Sequence, residues 1–265
     1  MSVFEGFRFR TVTSPIHMLD PRVKFFFVIV IFVMAILFGQ LLPLLFLFLV
    51  QIPIVFAAGV QRQWARSMKG AMFLAALIFL FNFAFTYFFT EYPRLPSGPL
   101  IEYSFAMTLR FLVLVESFSI FFLTTSPDRL GLALEQSHVP YEFCFAFTTA
   151  VRFVPVLAEE AQTIMDAQKA RGLELERGNF IRKVRNYIPI LIPLIVSAIR
   201  RSLELAEAME SRAWGATEKR TNLYVLKLKR ADYVLAVVSV LALVFAVYVW
   251  LYIPIPSLST LLRGS

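Results

Sequence analysis

Charge is scarce in this chain. Only 17% of its 265 residues are Asp, Glu, Lys or Arg, against roughly 25% in an ordinary soluble domain. Cysteine occurs once, at Cys144, which excludes an intrachain disulfide and a cysteine-based metal site. It lies in the run Phe143-Cys144-Phe145-Ala146-Phe147 and reads as a small packed hydrophobe. The two histidines, His17 and His138, sit near expected helix ends, and no carboxylate cluster has metal-ligand spacing. A membrane-embedded enzyme has little to work with here. A Gly-rich phosphate loop of the G-x-x-x-x-G-K-[ST] type is also missing, so nucleotide hydrolysis by that machinery is not expected. No cofactor and no bound metal are expected.

Apolar residues are in excess. They make up 58% of the chain, and 29 residues are Phe. A soluble core cannot use that much apolar surface, and disorder has the opposite signature of low hydrophobicity. The solvent that suits the sequence is a bilayer, so membrane lipids are expected partners. The net charge of +8 fits positive-inside anchoring better than nucleic-acid binding. A cleaved signal peptide is not expected: the first apolar run starts only at Phe25 and is too long for one.

Residues 1–24 form a polar, basic tail with Arg8, Arg10, Arg22 and Lys24. From Phe25 to Val60 no residue is charged, which leaves room for two short spans turning at Gly39-Gln40 and Pro43. A basic loop with Arg62, Arg66 and Lys69 precedes a third apolar run, Gly70 to Phe89. The turn-rich segment Glu91 to Pro99 reads as a loop. A fourth run covers Ser104 to Leu123, and a last one Tyr233 to Ile253.

The stretch between the fourth and last runs is different. Residues 124–230 carry 28 of the charged residues, about 26% of that segment, whereas the rest of the chain is about 10% charged. The expected organisation is therefore a tail (1–24), four transmembrane helices (25–123), a helical water-facing domain (124–230), and a fifth transmembrane helix with a short tail (231–265). This is an all-α integral membrane protein with a helical domain inserted between spans four and five. Sixteen Lys or Arg in 124–230, four in the N-terminal tail and three in the second loop put the N-terminus on the cytoplasmic side.

Arg110 and Glu116 interrupt the fourth run. A spacing of six places them on different helix faces, so they are not an evident pair. Each either faces neighbouring helices or marks a polar track.

Within the charged segment, Ser126-Pro127-Asp128 is a helix start, with Ser126 as N-cap and Pro127 in the first helical position. That helix breaks at Val139-Pro140. A long helix is expected from about Tyr141 to Ala170, with Gly172 suited to its end and Arg171 well placed at the negative pole of its dipole. A second begins near Tyr187 and carries the stripe Ile188, Ile192, Ile195 and Ile199. A shift of 41 residues places Arg171 on Arg212, Ala167 on Ala208 and Asp166 on Glu207. Small residues flank both arginines: Ala170 and Gly172, then Ser211 and Ala213. Singly these are ordinary helix ends. As a pair, they present two forked guanidiniums that can meet carboxylates on a partner with two like pockets.

With these features the chain resembles the transmembrane T component of energy-coupling factor (ECF) transporters, the EcfT/CbiQ-like subunits of ABC-type importers, over nearly its whole length. The segment Ser14-Pro15-Ile16-His17-Met18-Leu19-Asp20-Pro21-Arg22-Val23-Lys24 is similar to the family's entry to the first span. Thr124-Thr125-Ser126-Pro127 with Leu130 to Leu134 is similar to its post-span helix. Arg152-Phe153-Val154-Pro155 and Glu159-Glu160-Ala161 lead into the first Ala-Arg-Gly signature at Ala170-Arg171-Gly172. The second signature departs from the pattern: Ser211-Arg212-Ala213 keeps only the arginine, with Gly215 two residues late.

The resemblance implies that Arg171 and Arg212 lie at tips of coupling helices that dock on two ABC ATPase subunits. It also implies a substrate-binding S component carried by the same helices, and uptake of a vitamin or metal ion across a prokaryotic cell membrane. The stripe of Ile188, Ile192, Ile195 and Ile199 either meets that partner or packs inside the domain. A conventional ABC importer permease is the alternative, suggested by Glu159-Glu160-Ala161 before Gly172 and by Ile190-Leu191-Ile192-Pro193. Two separated arginine tips fit it less well.

Overall fold

The structure, a computed structural model, describes residues 14–89, 97–174, 179–216 and 225–252. The expected N-terminal tail up to residue 13, most of the 91–99 loop and the C-terminal tail lie outside the described residues. Among the described residues every regular element is an α-helix: α1 Pro21–Leu37, α2 Leu41–Ala58, α3 Gln61–Phe89, α4 Ser97–Thr124, α5 Pro127–Gln136, α6 Tyr141–Ala170, α7 Phe180–Glu210 and α8 Arg230–Tyr252. The all-α membrane class expected from composition is the class observed.

Five helices are long and apolar enough to cross a membrane: α2, α3, α4, α6 and α8. The spans expected from sequence include α1 and not α6. The Phe38-Gly39-Gln40 turn ends α1 after 17 residues, about 25 Å of helix. The first 18 residues of α6 carry only Glu142 and Arg152. Three helices also begin earlier than expected. The basic segment from Gln61 to Lys69 is not a loop but the first turns of α3, because Gln, Arg, Ala, Met and Lys are good helix formers. α4 starts at Ser97, and α7 starts at Phe180 with Asn179 as its N-cap residue.

The chain divides into two compact units, one of Leu134–Val225 and the other of Thr11–Ala133 with Leu226–Ser265. In the second unit α4 is central and packs against α1, α2 and α3, while α8 lies on α1. The core between these helices uses Val30, Ile31, Met34, Leu44, Leu47, Leu109 and Val113. Small residues set the approach distances. Ala35, Ala106 and Ser104 are almost wholly buried, as small-residue helix packing in a bilayer requires. The buried residues of α8 are Asp232, Ser239 and Ala246, spaced by seven, so one narrow stripe of short side chains faces its neighbour. Large apolar groups such as Phe46, Phe73 and Phe81 are exposed, as side chains facing lipid would be.

Polar groups inside this unit are mostly tied to backbone. Gln51 Nε2 donates to the carbonyls of Leu47 (3.3 Å) and Val113 (3.5 Å), and its Oε1 accepts from Ser117 Oγ at 2.6 Å. Arg110 Nη2 donates to the Phe38 carbonyl at 2.9 Å, placing a cation at the negative end of α1. Arg110 therefore caps a helix. Glu116 is fully buried, and its carboxyl oxygens and the nearby Trp64 Nε1 stay outside hydrogen-bond geometry.

Candidate functional site

The unit Leu134–Val225 is built on α6 and α7, which run antiparallel. The crossings recur along their length. Tyr141 and Phe145 of α6 pack on Trp214, with ring centroids 5.8 and 4.9 Å apart. Glu160 takes a hydrogen bond from Ser197 Oγ and an ion pair from Arg201 Nη2 at 3.2 Å. Gln168 Nε2 donates to the Pro189 carbonyl at 3.3 Å, and Asn186 Nδ2 to the Glu174 carbonyl at 2.7 Å. As the chain advances along α6, its partner on the α7 side retreats by about the same number of residues.

The two helices end in the same hydrogen-bonded turn. After α6, Gly172 N–H donates to the Lys169 carbonyl at 2.9 Å and Leu173 N–H to the Gln168 carbonyl at 3.0 Å. After α7, Ala213 N–H donates to the Glu210 carbonyl at 2.9 Å and Trp214 N–H to the Met209 carbonyl at 3.0 Å. Every donor and acceptor in the second set is 41 residues beyond its counterpart in the first. This is the closure in which a left-handed residue lets two amides reach back to the last turn. Gly172 has φ +88°, and Ala213 takes φ +55° in the same place. The degenerate second signature thus keeps the backbone shape of the first. His138, with φ 66°, closes α5 in the same way: it donates to Glu135, and Val139 donates to Leu134.

Arg171 and Arg212 each occupy the residue before the left-handed position. Both are exposed, and among the described residues neither guanidinium has a side-chain partner. Ala170, Gly172, Ser211 and Ala213 around them are exposed as well, so the backbone on either side of each arginine is open to approach. Nothing lies within 4 Å of where a Cβ on Gly172 would stand, so its glycine answers to backbone conformation and not to crowding.

The antiparallel course puts the two arginines on opposite sides of the Glu160–Arg201 crossing. Each follows its crossing residue by 11 positions, or about 16 Å of helix, so the tips stand roughly 33 Å apart along the hairpin.

The apolar stripe of α7 is uncovered. Ile188, Ile192, Ile195 and Ile199 are 46%, 57%, 55% and 55% exposed, and Leu191 and Leu203 extend the same face. Among the described side chains of α7, Ile190 is the buried one, at 4% exposure. Sequence reading missed the residues that shape the hairpin, Glu160 with Arg201 and Trp214 with Tyr141 and Phe145. The 41-residue shift held a signal for the first pair, because Glu160 falls on Arg201.

Five helices long and apolar enough to cross a membrane are what a multi-pass membrane protein needs. Comparison with known proteins gives the family. Residues 12–223 match the CbiQ family, described as "Cobalt transport protein". The chain is 32% identical over 235 residues to the energy-coupling factor transporter transmembrane protein EcfT of Thermosediminibacter oceani, covering 83% of this chain and 87% of that protein. It is 33% identical over 236 residues to the EcfT of Clostridium kluyveri, at the same coverage, and 31% identical over 251 residues to that of Lactococcus lactis subsp. cremoris, covering 89% and 94%. The chain belongs to the CbiQ/EcfT family of transmembrane components of energy-coupling factor transporters.

Proposed function

We propose that this chain is the coupling subunit of an ECF-type importer in a prokaryotic cell membrane, with its N-terminus cytoplasmic. Arg171 and Arg212 dock on two ABC ATPase subunits. The α7 face of Ile188, Ile192, Ile195 and Ile199 carries an S component that binds a vitamin or metal ion. The chain itself is non-catalytic, and ATP hydrolysis resides in the partner subunits.

The observation that carries this reading is the pair of matched helix ends. Each presents an exposed guanidinium on a backbone left bare by small residues, which suits a forked contact with a carboxylate in a shallow pocket. Two such ends roughly 33 Å apart fit two like pockets on two like subunits better than two sites on one. Although α6 as a whole is long and apolar enough to span, the proposed topology places it with α7 on the cytoplasmic side and takes α1 as the first span. The second half of α6 is charged, and its polar contacts run to α7.

Co-expression with the candidate ATPases followed by affinity purification tests the reading. Arg171→Glu and Arg212→Glu each weaken ATPase retention, and the double change abolishes it. Full assembly with both charges reversed overturns the assignment.

A further inference from the structure

The basic residues Arg62, Arg66 and Lys69 open α3, and the docking function makes no use of them. Beside them, within the unit that holds α1 to α4, lies a groove of about 560 Å³, a ligand-sized volume. One wall is α4, through Phe111, Leu114, Phe118, Phe122 and Leu123, and α3 contributes Ser67. Apart from the hydroxyls of Ser67 and Ser119, the lining side chains are hydrocarbon. The groove is open because α3 is narrow on this side. Ser67, Gly70 and Ala71 are small, and nothing lies within 4 Å of where a Cβ on Gly70 would stand.

Both walls belong to helices long and apolar enough to cross a membrane, so in a bilayer hydrocarbon is what reaches the groove. Trp64 packs with Ile120 and Leu123, which sets the first turns of α3 beside the last turns of α4. Arg62 and Arg66 stand at that end of the groove, and Arg66 directly precedes Ser67. On the α3 wheel Gly70 falls between Ser67 and Arg66 and puts no side chain between them. Arg62, Arg66 and Lys69 are exposed, and α3 carries no acidic residue. Among the described residues none of the three has an ion-pair partner.

We propose that this groove binds one anionic glycerophospholipid, with an acyl chain along α4 from Leu123 toward Phe111 and the phosphate on Arg62 and Arg66. Lys69 adds positive charge on the same flank of α3. A hydrocarbon channel bordered by cations at one end complements an amphiphile with an oily tail and an anionic head. Free phosphate would use only the cations, and a neutral apolar helix only the channel. Basic pockets between transmembrane helices recognise anionic headgroups through the same pairing. The site does not depend on the docking function proposed above.

The two halves of the site answer to different substitutions. Arg62→Gln and Arg66→Gln remove charge from exposed side chains, which costs headgroup selectivity and leaves the packing of α3 intact. Ser67→Phe fills the channel from an exposed position and leaves the cations in place, so it costs tail binding.

Native mass spectrometry of the purified full chain reads both halves, with phosphatidylglycerol and phosphatidylcholine of identical acyl chains offered in equal amounts. Phosphatidylglycerol is expected to be the lipid held most tightly. Its preference over phosphatidylcholine falls about fivefold in Arg62→Gln and in Arg66→Gln and disappears in the double variant, with melting temperatures unchanged. Ser67→Phe lowers retention of both lipids. Excess inorganic phosphate leaves the bound phosphatidylglycerol in place. The variant Lys183→Gln, Arg185→Gln in α7 controls for general attraction between basic surfaces and anionic lipid, and it keeps the full preference. An unchanged preference in the Arg62, Arg66 double variant overturns the proposal, as does an equal loss in the α7 control. Displacement by inorganic phosphate, or lipid retention that Ser67→Phe does not alter, overturns it too.

Discussion

Glu160 and Arg201 form an ion pair at 3.2 Å, and they are also the same position of the internal 41-residue echo. Equivalent positions of two antiparallel helices meet only at an approximate two-fold axis. The pair therefore marks the axis of the hairpin, and Arg171 and Arg212 are related across it. The Arg201 and Glu160 side chains are 37% and 24% exposed, so the bridge is partly screened and Ser197 shares the load.

Exchange of the two charges should preserve the hairpin, because the axis exchanges the two positions as well. Glu160→Arg or Arg201→Glu alone should cost about 1 kcal/mol, through like-charge contact and a lost hydrogen bond, and the double exchange should recover most of it. Thermal melting of the two single variants and the double variant in detergent forms the cycle. A double variant as unstable as the sum of the singles would show that the pair contributes no coupling.

Ala213 holds a left-handed conformation that glycine adopts freely and alanine does not. Ala213→Gly should stabilise the second helix end by about 1 kcal/mol, and Gly172→Ala should destabilise the first by a similar amount. The prediction isolates backbone strain at position 172, where an added Cβ meets open space. Differential scanning fluorimetry of both variants reads the two shifts, which should have opposite signs.

His17 should make the stability of the membrane unit depend on pH. Burial holds its imidazole below the ordinary 6.5, the charges of Lys24 and Arg129 act in the same direction, and the Leu123 backbone opposes them. The folded state therefore prefers the neutral ring. The associated stability is fully present above the unfolded-chain value of 6.5 and is lost as the pH falls through the lower folded value. Melting curves between neutral and mildly acidic pH should show a decline that His17→Gln reduces. An identical decline in the variant would assign the effect to other groups.

The helix ends were the most legible part of the sequence. Ala170, Arg171 and Gly172 spell a helix terminus in local chemistry, and the structure ends α6 at Ala170. The echo at Arg212 was legible for the same reason, since a closing turn needs only neighbouring residues. Helix starts were less so. The basic run before Tyr187 masked a helix that begins at Phe180, because its charged residues leave no apolar stripe to read. The tie between the starts of α1 and α8 was illegible. Asp20 and Asp232 are 212 residues apart, and no periodicity or motif joins an amide at one helix start to a carboxylate at another. The exposed state of the isoleucine stripe was open for a similar reason: sequence spacing defines a face but not what covers it.

The sevenfold spacing of Asp232, Ser239 and Ala246 divides the 23 residues of α8 by what selects them. At those three positions a neighbouring helix does the selecting, and bulk or loss of the carboxylate would push α8 off α1 or unfasten its start. At exposed positions such as Val234, Val237, Leu241, Val244 and Phe245 the lipid selects, and lipid asks only for an oily side chain. Most of this helix can therefore drift among apolar residues over evolutionary time while its partner, its rotation and its depth stay the same. Its identity resides in three small letters, and a comparison of distant relatives should weigh those above the rest.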